Sequence, residues 1–305
     1  MLVNTLTLTT ATLDPIGLCF DPLTARANHS CVPNASIVFS GRSLHLRSLD
    51  GIPEGTEVTI PYVDTSYPAS VRQKELSSRW FFTCTCALCA QAPLGKTDVY
   101  SCPHCRGVVP DGSPLTCSSC GKSFPQPPQP PQADLETLYR TGLFPPHRQP
   151  LPSLHGSWVQ DFLEKGDYEA ALKHQLLLHT AINPVLYPQT HHPIRVCSGF
   201  VLAALLMEVC RSPGKELAAM GVDWGKAVWA VLAEVESAVK LSHGEGSGFA
   251  HVVRTKKGEV HGELVKARVP WLGDGPKVGG LGAELEKVGV VIEGLLKDLG
   301  VERNK

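Results

Sequence analysis

What this sequence has least of is net charge: 28 Lys and Arg stand against 29 Asp and Glu, a formal −1 with His neutral. Without a basic excess there is no general field for duplex DNA or for an anionic membrane surface, so neither nucleic acid nor a membrane is expected as a partner. No run of about 18 or more apolar residues occurs, which leaves no predicted membrane span. The start, Met1-Leu2-Val3-Asn4-Thr5, has no basic stretch leading into an apolar one, so no secretory leader is predicted either. Cysteine, by contrast, is plentiful. The chain has eleven, most of them in tight pairs or triplets. That spacing suits metal ligation in a reducing compartment, nucleus or cytoplasm, better than the disulfides of a secreted protein. At 305 residues the chain has material for at least two cores.

Its organisation is that of an α+β protein. Leu6-Thr7-Leu8, Ala35–Phe39, Ser43–Leu49 and Glu57–Ile60 are short alternating or β-branched runs punctuated by Gly41, the Gly51 to Gly55 turn and Pro61, and they predict strands. Pro68 then opens a predicted helix that Val71, Lys74, Glu75 and Leu76 carry to Trp80. Residues 125–134 are dominated by Pro and Gln and read as an extended, solvated spacer, with docking to an SH3-like partner as the alternative. Beyond it the pattern is helical. Val228, Val231, Leu232, Val235 and Val239 share one face, as do Leu281, Leu285, Val288, Ile292 and Leu295 or Leu296. Gly166–Leu172 resembles the start of a tetratricopeptide helix pair, without a traceable repeat.

Cys84, Cys86 and Cys89 place three thiols within six residues, a set suited to one tetrahedral ion, with Zn the natural occupant. Three protein ligands leave a zinc site open and four close it as a structural site. Cys31, in Asn28-His29-Ser30-Cys31-Val32-Pro33-Asn34, is the candidate fourth; taken alone, a buried thiol without metal explains it equally well. If Cys31 closes the site, the tail at 84–89 is tied to the loop at 28–34.

These motifs in this order, Asn-His-Ser-Cys-x-Pro-Asn, a strand ending in Tyr62-x-Asp64, then Trp80-x-Phe82-x-Cys84-x-Cys86-x2-Cys89, resemble the SET domain of SET-and-MYND (SMYD-like) protein-lysine methyltransferases. The resemblance spans residues 1–90 and implies a partial SET domain with a post-SET zinc site. A zinc-ribbon-like module at 98–124 and a helical, TPR-like region at 135–305 would follow. It also implies S-adenosylmethionine as cofactor, with Asn28, His29 and Phe82 binding it, and Tyr62 at the point of methyl transfer. Trp80 would line the substrate channel, and Cys31, Cys84, Cys86 and Cys89 would hold zinc. The expected substrate is a protein such as a histone tail, with the helical region binding a partner peptide. The chemistry suits these residue types. A lysine amine must lose its proton before it attacks a sulfonium methyl, and an apolar channel beside a positive charge favours the neutral form. Two departures stand out. Trp80 occupies a position where the family usually has tyrosine, and it donates through its indole N–H but cannot accept. The family's Gly-x-Gly cofactor strand and MYND zinc module have no counterpart in these residues, and Gly279-Gly280-Leu281-Gly282 reads as a loop. The alternative is therefore a catalytically incomplete, SET-derived zinc-binding scaffold or interaction module.

A second set, Cys102, Cys105, Cys117 and Cys120, has two knuckles with eleven residues between the inner cysteines, and predicts a second structural zinc. Arg106 and Lys122 are the nearby cations that could serve a peptide or nucleic-acid contact. Cys197 and Cys210 fall in apolar helical patterns as small buried residues, Cys19 is unassigned, and His191-His192 reads as a loop or helix-start pair.

Overall fold

A computed structural model describes residues 4–126, 134–211, 214, 223–267 and 294. Most of the Pro/Gln segment, the apolar stripe from Leu281 onward and the Gly279 cluster lie outside them. The described chain begins in short strands and ends in helices. Strand β1 (Leu6–Thr9) pairs antiparallel with β2 (Pro15–Cys19), and β3 (Asn28–His29) is a two-residue strand. A hairpin follows, β4 (Ala35–Ser40) against β5 (Ser43–Ser48), with Ile37 opposite Leu46 and Gly41 supplying the positive φ of its turn. The predicted strand at 57–60 shrinks to β6 (Thr59–Ile60), because it pairs in parallel only with the two residues of β3. That pairing sets Asn28 beside Thr59 and His29 beside Ile60, bringing the polar motif to the strand that leads into Tyr62.

Helix α1 (Ala69–Arg79) starts after Pro68, whose fixed φ suits a helix entry, and ends at Trp80. The short α2 (Ala87–Ala90) lies within the cysteine tail. Two small hairpins come next, β7 (Val99–Ser101) with β8 (Val108–Pro110), and β9 (Leu115–Thr116) with β10 (Ser123–Phe124). They have too few residues for a core of their own and share one with the helices. Tyr100, Val109 and Leu115 pack in one apolar cluster with Leu135, Leu138 and Leu151.

The helical part runs through α3 (Leu135–Arg140), α4 (Leu151–Glu164), α5 (Tyr168–Leu177), α6 (Asn183–Leu186), α7 (Pro193–Arg211), α8 (Trp224–Val239) and α9 (Gly248–Lys266). The Gly166-Asp167 signal is a helix start: the Asp167 carboxylate accepts the Ala170 N–H as an N-cap. Turns of π-helix at Leu178–Ile182 and Lys240–Gly244 follow α5 and α8. The face from Val228 to Val239 is buried in the largest core, between α7 and α9. Helix α7 is long and apolar enough to cross a membrane, but half of it is already buried against its neighbours. Cys197 is buried on that helix, Cys210 half-buried, and His191-His192 forms the turn before it. The strands rest on this helical body: Arg47 donates to the His243 carbonyl at 3.0 Å, and the Ala11 carbonyl faces His243 Nε2 at 3.0 Å.

Candidate active site and metal centres

The parallel pairing of β3 with β6 is held by side chains as well as backbone. Asn34 acts as a length of strand: its Oδ1 accepts the Thr59 N–H at 2.8 Å, and its Nδ2 donates to the Glu57 carbonyl at 2.8 Å. Asn28 Nδ2 donates to Glu57 Oε1 at 2.6 Å. His29 Nδ1 accepts the Tyr62 N–H at 3.0 Å, so the ring proton sits on Nε2, which faces Cys31 Sγ at 3.2 Å. Burial pulls the His29 pKa down to about 4 and keeps the ring neutral. Both ring nitrogens of His29 are thus engaged within the protein, leaving its ring face and backbone for any ligand.

Tyr62, Trp80, Phe82 and His29 form one aromatic corner. Ring centroids lie 5.4 Å apart for Tyr62 and Trp80, 6.5 Å for Tyr62 and Phe82, and 5.4 Å for His29 and Tyr62. The Tyr62 hydroxyl donates to the Ala27 carbonyl at 2.6 Å. Burial, with the Glu57 charge nearby, raises its pKa, so it is a neutral phenol and not a base at neutral pH. Between Trp80 and Phe82 the chain turns sharply: Phe81 is 80% exposed at φ 62°, a left-handed conformation unfavourable for a bulky residue. That turn ends α1 and directs Phe82 toward Tyr62. A cleft of about 360 Å³ opens beside Tyr62 and Trp80, bounded across from them by His192, Pro193 and Ile194 at the start of α7.

The sulfurs of Cys31, Cys84, Cys86 and Cys89 all lie within 4.8 Å of one another. This brings the tail to the 28–34 loop, with Cys31 and Cys89 at 3.6 Å. The set suits a divalent ion. Burial pushes the Cys31 thiol well above its usual pKa; the nearby Arg72 charge opposes the rise, and the charges of Cys86 and Cys89 add to it. At Cys86 burial also acts upward, but backbone N–H groups of Cys89 and Cys31 outweigh it and bring the thiol to about 6. Cys102, Cys105, Cys117 and Cys120 form the second such set, with Cys102 to Cys120 at 3.7 Å and Cys105 to Cys117 at 3.5 Å. Both clusters could hold zinc.

Several residues around the first cluster carry no motif. Gln73 clamps the tail, donating to the Cys84 carbonyl at 2.6 Å and accepting the Cys84 N–H at 2.9 Å. Arg72, fully buried on α1, points a guanidinium nitrogen at Cys89 Sγ, 3.8 Å away. The available signal was an arginine inside the stripe Ala69, Arg72, Leu76, a charged residue on a buried helical face.

Residues 5–63, which carry Cys31, His29 and Tyr62, match the family model of the SET domain. Its relatives include proteins named for SET and MYND domains and SMYD methyltransferases. The "SET domain and MYND-type zinc finger protein 6" of Schizosaccharomyces pombe is 40% identical over 87 residues, which cover 28% of this chain and 18% of that protein. Human "Histone-lysine N-methyltransferase SMYD3" is 37% identical over 89 residues, 29% of this chain and 21% of that protein. The Arabidopsis thaliana "Histone-lysine N-methyltransferase ASHR1" is 33% identical over 122 residues, 35% of this chain and 25% of that protein. The chain thus spans a quarter or less of the length of these relatives.

Proposed function

We propose that the protein is a protein-lysine N-methyltransferase that draws its methyl group from S-adenosylmethionine and acts on a protein tail such as that of a histone. The observation that carries this reading is the aromatic corner in which Tyr62, within the SET-matching residues, meets Trp80 and Phe82, with Tyr62 and Trp80 lining a cleft. The cofactor supplies a methyl on a positively charged sulfur. Phe82, with the ring face of His29 and the backbone near Asn28, would hold it, while the Trp80 and Tyr62 rings confine the lysine side chain and exclude water. Such a dry, aromatic site lowers the lysine pKa toward the neutral amine. Tyr62, neutral and anchored to the Ala27 carbonyl, orients the amine and does not take its proton. Both cysteine clusters are read as structural zinc sites. The helical part would form the far wall of the substrate cleft, in the manner of a TPR-like domain.

Transfer of labelled methyl from S-adenosylmethionine to histones by the full chain tests the reading. Tyr62→Phe should lower it at least about tenfold, since orientation contributes substantially to rate; transfer unmoved by that change contradicts the role of Tyr62. A second reading, a zinc-stabilised scaffold, is favoured by the engagement of the Asn28 amide and both His29 nitrogens with the protein's own groups. Calorimetry with S-adenosylmethionine separates the two: micromolar binding supports the enzyme, and no heat supports the scaffold.

A further inference from the structure

Arg72 is among the largest fully buried side chains, with 1% of its surface exposed. One guanidinium nitrogen donates to the Tyr67 carbonyl and, at 3.0 Å, to Thr97 Oγ1; the other faces Cys89 Sγ at 3.8 Å, and Nε has no partner. Among the described residues no carboxylate lies within ion-pair distance of it, since the ion pairs there use other cations. A buried cation without a direct counter-ion is costly; the buried Asp98 carboxylate reaches it only through the Thr97 hydroxyl, its Oδ2 3.4 Å from Thr97 Oγ1, so the sulfurs are the groups placed to face the guanidinium directly as anions. Four thiolates around one divalent ion carry two net negative charges. A neutral, metal-free thiol cluster would leave the arginine with no charged group in direct contact.

We propose that Arg72 is the countercharge of the Cys31 cluster, a positioning residue that steadies a metal tetrathiolate through its N–H···S contact and fixes α1, with Trp80 at its end, to that metal. This rests on the reading of the cluster as a metal site, and it goes beyond that reading by giving the site a cationic partner drawn from the helix.

The test is zinc transfer from the loaded full chain to a chromogenic chelator, for wild type, Arg72→Gln and Arg72→Lys. A Cys117→Ser chain identifies the phase that belongs to the second cluster. Wild type should release two ions in two phases. Arg72→Gln should speed release from the Cys31 cluster about 10 to 100-fold, the usual scale for a lost partner of a metal ligand, and leave the other phase alone. Arg72→Lys, which keeps the charge and favours folding, should fall between. With cobalt in place of zinc, the sulfur-to-metal charge-transfer band should move to longer wavelength in Arg72→Gln, because its thiolates lose a cation; a packing defect alone would not shift it. Two ions with unchanged release and an unmoved band would overturn the role of Arg72, as would equal acceleration of both phases. A wild-type chain holding no ion at the Cys31 cluster would overturn the metal reading itself.

Discussion

The two cysteine clusters each bring four thiols within 4.8 Å of one another and are embedded in opposite ways. In the Cys31 cluster the ligands come from a loop at 28–34 and a tail at 84–89, brought together across a hairpin, one further strand and a helix. Cys31 and Cys84 are buried, and Arg72, Gln73 and His29 contact the ligands. In the Cys102 cluster all four ligands come from two neighbouring hairpins, and Cys105 and Cys120 are exposed. Closing a long loop costs more entropy than closing a short one. An ion in the first cluster therefore organises distant parts, the aromatic corner among them, whereas one in the second holds a local turn pair whose apolar side is completed by helices.

The largest effect should come from breaking the first cluster. Cys31→Ser should release one zinc and reduce hydrogen-exchange protection of the Tyr62 amide at least about tenfold, because that N–H is held by His29, which leans on Cys31. Cys105→Ser should release one zinc and leave the Tyr62 amide protected. Equal loss in both variants would erase the distinction between the clusters.

Acid offers a second probe, one that reaches the helical core through groups outside both clusters. His155 Nδ1 meets His174 Nδ1 at 2.8 Å, and the Tyr139 hydroxyl meets His155 Nε2 at 2.7 Å. Burial lowers His155 to about 3 and His174 to about 4, below the ordinary 6.5. The unfolded chain binds these protons first, so their contribution to stability is complete above pH 6.5 and falls as pH drops toward 4, by up to about 1.4 kcal/mol per unit for each histidine. Denaturant melts of His174→Gln should show a shallower loss over that range. An unchanged slope would remove the pair from the account.

Gly107→Ala should have a smaller, local effect. An added Cβ would press on Ser119 Oγ and stand 2.8 Å from Ser119 Cβ and 3.2 Å from Cys105 Sγ, so the second cluster should loosen by about 1–3 kcal/mol. Faster zinc release from that cluster alone, with the Tyr62 amide unmoved, is the expected outcome; a disturbed Tyr62 would mean that the two clusters are mechanically joined.

The same contrast explains what could be read from the chain. Strands β4 and β5 were legible because their apolar residues alternate, and the start of α1 because Pro68 marks it. The face of α8 was legible because its valines recur at helical spacing. Close spacing made the clustering of seven cysteines legible, while Cys31 needed the resemblance. Strand β2 was missed: Pro15 and Gly17 break the usual pattern, and most of it is exposed. Glu57 and Val58 look like strand but find no strand partner opposite. The π turns and the left-handed Phe81 have no local signature, and while the stripe Ala69, Arg72, Leu76 hints that Arg72 is buried, its contact with Cys89 depends on what lies across the fold. Nor could sequence show that the His29 ring is spent between Tyr62 and Cys31.

The most direct measurement is X-ray absorption at the zinc edge on the purified full chain, with metal counted per chain in wild type and Cys31→Ser. The account predicts two zinc ions, each with an all-sulfur shell at about 2.3 Å, falling to one in the variant. A wild-type chain with a single ion, or two ions that persist when Cys31 is replaced, would contradict the claim that Cys31 clasps the tail to the loop bearing His29 and so sets Tyr62.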